Sequence, residues 1–327
     1  MLFILFGTAA AATVLAAIAL SNYTKALSKT TSLAGTVLLA SATTLPEVTT
    51  SISAVTLGNL DIAIGNMLGS TMFNFFIIAC ADVWYRKMRL YQSVNHKHIY
   101  TALLGLALSL MALVALIRQS DHVIFRFGVD ALFIALMYGL GMYIISKIAR
   151  ASSPEQNTTA NHPATLSGKT PFSAQKTTAG FFIMAFLITS MGTMLCLVGD
   201  EIVKVTGMGS SFVGSFFLAA TTSMPEAIAV LVALRLKNVD LALGSILSSN
   251  IFNILILIGL DAFYLDGPIL SNLSSIHQVT ALSISALFFV LISALRRKKE
   301  VSAIRYLIPS LLIIAGYLYS SYRIFLD

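Results

Sequence analysis

A glutamate beside a proline, set twice inside stretches otherwise fit for lipid, constrains this chain more than any other feature. The two octets are Ala40-Ser41-Ala42-Thr43-Thr44-Leu45-Pro46-Glu47 and Ala219-Ala220-Thr221-Thr222-Ser223-Met224-Pro225-Glu226. They lie 226 − 47 = 179 residues apart, and Asp61/Asp240, Gly65/Gly244, Ser70/Ser249 and Asn74/Asn253 keep the same offset. An ungapped comparison of 39–80 with 218–259 gives 16 identities in 42 positions, more than a shared apolar composition explains. The chain reads as an internal duplication with two equivalent half-sites.

With 57% hydrophobic and 11% charged residues, 327 residues cannot dress a soluble globule in a polar surface. Apolar runs of about 20 residues, the length that crosses a bilayer, fall at 2–20, 33–57, 61–84, 98–117, 127–148, 179–200, 210–234, 240–263, 277–295 and 302–322. The expected fold is an all-α membrane protein of ten transmembrane helices. Residues 1–150 form a first five-helix repeat (α-repeat about 39–80) and 177–327 a second (α-repeat about 218–259). Five crossings per half make the second half enter from the opposite side, so the repeats are inverted. That plan recurs in secondary transporters, with the substrate site at the repeat interface near mid-membrane. The first segment lacks a basic n-region and a small-residue cleavage site, and reads as a retained helix. Cys80 and Cys196 both lie in apolar runs and read as packing residues.

The net charge of +7 is a topology signal. Alternating the loops puts 17 of the 21 lysines and arginines on one face, leaving Arg118, Arg126, Lys204 and Arg323 on the other. The positive-inside rule makes the crowded face cytoplasmic and places both termini outside the cytoplasm. Residues 151–176, with Pro154, Pro163 and Pro171, then form a polar cytoplasmic linker. The expected location is the plasma (cell inner) membrane, multi-pass, in contact with the lipid bilayer. The basic runs need no nucleic acid, and no obligate protein partner is implied.

Ala40, Thr43, Thr44 and Glu47 fall at i, i+3, i+4 and i+7 and so share one helical stripe, repeated by Ala219, Thr222, Ser223 and Glu226. A proline inside a helix removes a hydrogen bond and clashes with the carbonyl four residues back. Pro46 and Pro225 are therefore expected to kink both copies and to free the carbonyls of Ala42 and Thr221. Carbonyls, hydroxyls and a carboxylate together make an oxygen-only environment, suited to hard cations such as Ca²⁺ or to Na⁺, while no His or Cys cluster suits zinc or copper. Asn66, Ser70 and Asn74, and Ser245, Ser249 and Asn253, add stripes at i, i+4, i+8 on the following helices. Gly65, Gly69 and Gly244 let those helices approach the glutamates. An ionised acid at mid-membrane costs about 2.5–3.5 kcal/mol on insertion scales, so two at equivalent positions argue for function. Asp61 and Asp240 read as helix caps. His96, His98, His122, His162 and His277 show no shared spacing and read as solvated.

These stripes resemble the α-repeats of the Ca²⁺/cation antiporter superfamily, in particular its prokaryotic sodium/calcium exchanger type. The likeness is most specific at Thr43-Thr44-Leu45-Pro46-Glu47 with Gly65 to Asn74, and at Thr222-Ser223-Met224-Pro225-Glu226 with Gly244 to Asn253. It implies that Glu47 and Glu226 bind Ca²⁺ directly, helped by Thr43 and Thr222. Sodium would use Ala40, Thr44 and Ser70 in one half and Ala219, Ser223 and Ser249 in the other, and Asn74 and Asn253 complete the set. The resemblance also implies that the first and sixth helices slide across a rigid core, which Gly7, Gly180, Gly192 and Gly199 would suit. The usual glycine before the Thr-Ser pair is Ala42 in one copy and Thr221 in the other, and Leu45 is matched by Met224. Many relatives carry aspartate at one or both positions held by Asn74 and Asn253. With only two carboxylates, one Ca²⁺ leaves the site neutral, three Na⁺ leave it at 3 − 2 = +1, and two protons also balance it.

The function expected is therefore antiport of Ca²⁺ against Na⁺ by alternating access at a two-glutamate site, without catalysis and without a resident cofactor. Exchange of Ca²⁺ for H⁺ is the alternative, and a passive cation channel a more distant one. An intramembrane enzyme lacks support, because neither a His-Glu metal motif nor a phosphate-cradling loop is present.

Overall fold

The computed structural model describes residues 1–28, 32–124, 127–151, 174–271, 273–297 and 302–326, excluding the side chains of 21–28, 32–43, 149–151, 174–178 and 303. Eleven helices carry the fold: α1 (Leu2–Ser28), α2 (Ser32–Thr56), α3 (Leu60–Trp84), α4 (His98–Arg118), α5 (Val129–Ala151), α6 (Ala174–Thr206), α7 (Ser210–Thr222), α8 (Met224–Arg235), α9 (Val239–Gly259), α10 (Ile276–Leu295) and α11 (Ala303–Phe325). Among the described residues, eight of these are long and apolar enough to cross a membrane, and α7 with α8 makes a ninth span bent by 42°. One two-stranded ribbon, β1 (Val123–Ile124) antiparallel to β2 (Phe127–Gly128), joins α4 to α5. Most of the expected linker lies outside the described residues.

Helix α3 is the axis of the molecule. Its spanning window is 89% buried, against 11% for α5, and it packs on α2, α7, α9, α10 and α11. A helix so enclosed is apolar over most of its circumference, and glycines let its neighbours in. A Cβ on Gly69 would stand 2.4 Å from both the Cα and the carbonyl oxygen of Ser215, and one on Gly65 2.9 Å from the Ser211 carbonyl oxygen. On the far side, Phe75 meets Phe288 of α10 edge to face at 4.7 Å. Phe288 in turn fills the space a Gly105 side chain would need.

The two proline sites differ. Pro46 sits inside α2, which runs as one α-helix from Ser32 to Thr56. Pro225 opens α8 after a break at Ser223, and α7 contains a π-helical turn over Val213–Leu218. Of the two expected kinks, the helix break occurs only at the second. The residues after each proline differ in kind. Thr49 donates to the carbonyls of Leu45 (2.9 Å) and Pro46 (3.2 Å), and Ser53 to that of Thr49 (2.8 Å). The matching positions hold Ile228 and Val232, which carry no hydroxyl to bond the helix carbonyls. The glycines of α1 and α6 also differ from one another. Gly7 has open space around it, whereas a Cβ on Gly192 would reach 2.5 Å from Thr49 Oγ1, so Gly192 marks a close contact rather than a loose one.

Four carboxylates join distant parts of the chain, again at the 179-residue offset. Asn59 and Asn238 are the helix caps, accepting from Ile62 N (3.2 Å) and Leu241 N (3.0 Å). Asp61 and Asp240, expected as caps, reach across instead. Asp61 Oδ1 accepts from Ser274 N (3.1 Å) and pairs with His277 Nε2 (2.9 Å), while Asp240 Oδ1 accepts from Asn95 N (2.7 Å) and pairs with His98 Nε2 (3.1 Å). His98 and His277 are 277 − 98 = 179 residues apart. The expectation of solvated histidines fails for these two, since His277 is 1% exposed and the paired His98 side chain 19% exposed. Buried Asp82 accepts from Leu90 N (3.2 Å), Ser310 Oγ (2.6 Å) and the Tyr306 hydroxyl. Buried Asp261, at the same offset, accepts from Ile269 N (2.7 Å) and Gly128 N (2.6 Å).

Replacing Gly69 by alanine forces the Ser215 backbone away from α3 and is expected to destabilise by about 1–3 kcal/mol, the usual cost of overpacking. Gly7→Ala meets open space and should leave stability unchanged. Heating the purified variants in detergent and measuring the surviving monodisperse fraction distinguishes them.

Candidate cation-binding site

Where α2, α3, the α7–α8 break and α9 converge, polar side chains collect in the dry centre of the bundle. Glu47 from α2 is 1% exposed and Glu226 from the first turn of α8 is 4% exposed. The break at Ser223 places Thr222 and Ser223 beside them, both fully buried. Ser223 Oγ donates to Glu47 Oε1 at 3.5 Å, which ties the second octet to the first. Thr222 Oγ1 donates to Asn66 Oδ1 (3.3 Å) and lies 3.4 Å from Ser70 Oγ. Asn66 Nδ2 donates to Ser51 Oγ (2.9 Å) and to the Glu47 carbonyl oxygen (3.4 Å).

Helix α9 closes the cluster. Asn253 and Asn250 are buried there, and Asn74 of α3 donates through Nδ2 to Asn250 Oδ1 at 2.9 Å. Thr44 and Ala219 are also buried. Ser249 is half-buried, and no hydrogen bond joins it to the carboxylates. Ser245 donates to the Ala242 carbonyl oxygen within its own helix (3.0 Å). The side chains of Ala40 and Thr43 lie outside the described residues, although α2 carries both. Of the twelve residues expected at the site, hydrogen bonds and electrostatic contact link Glu47, Glu226, Ser223, Thr222, Ser70 and Ala219, while Thr44, Asn74 and Asn253 are buried on the converging helices.

What sets this cluster apart is its unmet polar capacity. Among the described residues, three of the four carboxylate oxygens, Glu47 Oε2 and both of Glu226, have no hydrogen-bond partner, nor do Asn74 Oδ1 and Asn253 Oδ1. Glu226 is within electrostatic reach of Glu47. Buried polar atoms are ordinarily satisfied, and an unpaired charge in such surroundings is far costlier than an unpaired dipole. Five acceptors without donors, two of their side chains acidic, form a site that lacks positive charge. A cation, or protons, would meet that lack.

Three participants have no identical partner at the 179-residue offset, where Asn66 is matched by Ser245, Ser51 by Val230 and Asn250 by Thr71. Matching identical pairs across the duplication cannot find residues that one half alone supplies. For Asn66, a carboxamide in a fully buried helix was itself the available signal.

The family model described as Sodium/calcium exchanger protein matches residues 1–149 and, separately, 176–325. The chain belongs to this family of exchangers, within the Ca²⁺/cation antiporter superfamily. It is a multi-pass membrane protein and a member of a transporter family. It is 28% identical over 238 residues to the inner membrane protein YrbG of Escherichia coli (strain K12), covering 69% of this chain and 67% of YrbG. Its fold superposes on the crystal structure of the H⁺/Ca²⁺ exchanger CAX with a TM-score of 0.67 at 17% identity, covering 99% of this chain and 90% of that one. The sodium-calcium exchanger NCX_Mj, in crystals soaked with Na⁺ and Sr²⁺, gives 0.57 at 17% identity, covering 98% of each.

If the cluster lacks positive charge, removing a carboxylate should help the empty protein. In cation-free buffer at neutral pH, Glu226→Leu is expected to be at least as stable as the parent and up to about 1–3 kcal/mol more so, the cost of an unmet buried polar group. Thr222→Val, which strips a donor from Asn66, should be less stable. Thermal denaturation of the purified proteins in choline buffer with chelator checks both.

Proposed function

We propose that this exchanger is a secondary active antiporter moving Ca²⁺ against Na⁺, by alternating access at the site between Glu47 and Glu226. The observation that carries this reading is the pair of buried glutamates with three unpartnered carboxylate oxygens. One Ca²⁺ neutralises two carboxylates, and its preference for six to eight oxygen ligands fits carboxylates supplemented by the free oxygens of Asn74 and Asn253. Thr43 and Thr222 assist at the Ca²⁺ position, while Ala40, Thr44 and Ser70 in one half and Ala219, Ser223 and Ser249 in the other supply the neutral oxygens that Na⁺ would use. Both cations draw on Glu47 and Glu226, so the two loads exclude one another, which is the condition for coupled exchange.

In this reading, α2, a helix of 25 residues, crosses the membrane together with the eight long apolar helices and the bent pair, giving ten crossings. Residues 1–150 and 177–327 are two inverted repeats joined by a cytoplasmic linker at 151–176, with both termini outside the cytoplasm of a plasma membrane. Support comes from the reciprocal pairs Asp61–His277 and Asp240–His98, in which each half's aspartate meets the other half's histidine. The two separate matches of one family model point the same way.

Exchange of Ca²⁺ for H⁺ is the second reading, favoured by the same charge count, because two protons balance two carboxylates as one Ca²⁺ does. Everted membrane vesicles separate the two. Uptake of ⁴⁵Ca²⁺ is expected when Na⁺ is loaded inside and absent outside, and to fall to background in Glu47→Gln and Glu226→Gln. Uptake driven by a pH gradient without Na⁺ would establish the second reading. Uptake with neither gradient would sink both.

A further inference from the structure

Asn250 takes no part in the roles assigned so far, yet it is wholly buried beside the cation site and holds one of the site's amides. A carboxamide has an oxygen end that accepts and a nitrogen end that only donates. Next to a cation the two ends act oppositely, since only the oxygen can coordinate. A free side chain could turn either end toward the load with little change of shape. The Asn74 amide is not free. Its Nδ2 donates to Asn250 Oδ1 at 2.9 Å, and its Oδ1 is buried with no partner.

We infer that Asn250 is a positioning residue that fixes the orientation of Asn74, holding the Asn74 carbonyl oxygen toward the transported cation. This rests on the antiport reading of the site. The hydrogen bond works because Asn250 Oδ1 is an acceptor only and therefore selects the nitrogen end of Asn74. The arrangement leaves Asn250 Nδ2 without an acceptor in a buried setting. Such a group is normally costly, and it is what the inference expects if the Asn250 amide is used to orient its neighbour. The role belongs to one half only. The position 179 residues earlier is Thr71, whose hydroxyl donates to the Met67 carbonyl oxygen in its own helix (3.1 Å). Asn253, the counterpart of Asn74, therefore has no equivalent clamp at that position.

The test measures KM and Vmax for ⁴⁵Ca²⁺ in everted vesicles across a double-mutant cycle. Asn250→Leu keeps the branched shape, with a somewhat larger volume, but removes the acceptor. It should raise the KM for Ca²⁺ about tenfold, the scale of losing one hydrogen bond to a charged group, with Vmax within about twofold. Asn74→Ala should raise KM to a similar extent, and the double variant no further than Asn74→Ala alone. Asn250→Asp still accepts from Asn74 Nδ2 and should not raise KM. The inference is overturned if Asn250→Leu leaves KM unchanged, if the two effects multiply, or if Asn250→Asp raises KM as Asn250→Leu does. If Asn250→Leu fails to accumulate in the membrane, Asn250→Ala takes its place in the cycle, with the same expected and overturning outcomes. Glu47→Gln in the same vesicles separates the two levels. Retained uptake there overturns the antiport site itself, whereas lost uptake with an unaffected Asn250→Leu overturns only the clamp.

Discussion

Two carboxylates held in an apolar interior without enough donors set the terms for the rest of this molecule. A protein that placed Glu47 and Glu226 there for stability would surround them with N–H and O–H groups. Here Ser223 supplies one hydroxyl to one oxygen, and three oxygens are left without a partner. An exchanger requires this incompleteness. A site already satisfied by its own side chains would have little to gain from a cation, and its differential affinity for loaded and empty states would be small.

The cost of that incompleteness has to be offset elsewhere, and the offsetting contacts lie at the ends of α3 and α9, which pack against the glutamate helices α2 and α8. Helix α3 ends at Asp82, whose carboxylate gathers donors from a following loop and from α11. Helix α9 leads into Asp261, which gathers two backbone amides. The opposite ends carry Asp61 and Asp240 with their histidines. These four acids are partnered, in contrast to the two at the centre. The same carboxylate group thus anchors helices at their ends, as aspartate, and is left unsatisfied at the centre, as glutamate. Close packing reinforces the anchors, since Gly65 and Gly69 bring the α7 backbone within contact of α3. Rigid walls hold the unmet oxygens apart when no cation is present to do so.

The sequence makes much of this legible because a duplication repeats what is needed twice. The glutamates, Ser70, Asn74 and Asn253 all emerge from one offset, and apolar run lengths locate the helices closely. The failures share a cause. Asp61 and Asp240 look like caps because they sit two residues after the capping asparagines, and local sequence cannot reveal that their partners lie more than 140 residues away in the other half. His98 and His277 carried the 179-residue signature, but it is visible only when histidines are tested against the offset found for other residues. Asn250 and Ser51 have no counterpart to match. The unequal prolines show a further limit. Pro46 and Pro225 are identical signals, yet the helix breaks at only one of them, and residues that distinguish the two sites lie within the octet, at Thr44/Ser223 and Leu45/Met224, and after it, at Thr49/Ile228 and Ser53/Val232.

That inequality bears on how two similar half-sites could bind different loads. A strictly symmetric cage would offer each ion two equivalent positions and no reason to prefer one. Here the second glutamate stands at the start of a helix, on the far side of a break, while the first stands in the middle of an unbroken one. Glu47 receives the Ser223 hydroxyl and, through its carbonyl, the Asn66 amide, so its position is the more fixed. On the proposed reading, a divalent ion would bridge one glutamate held by these bonds and one without them.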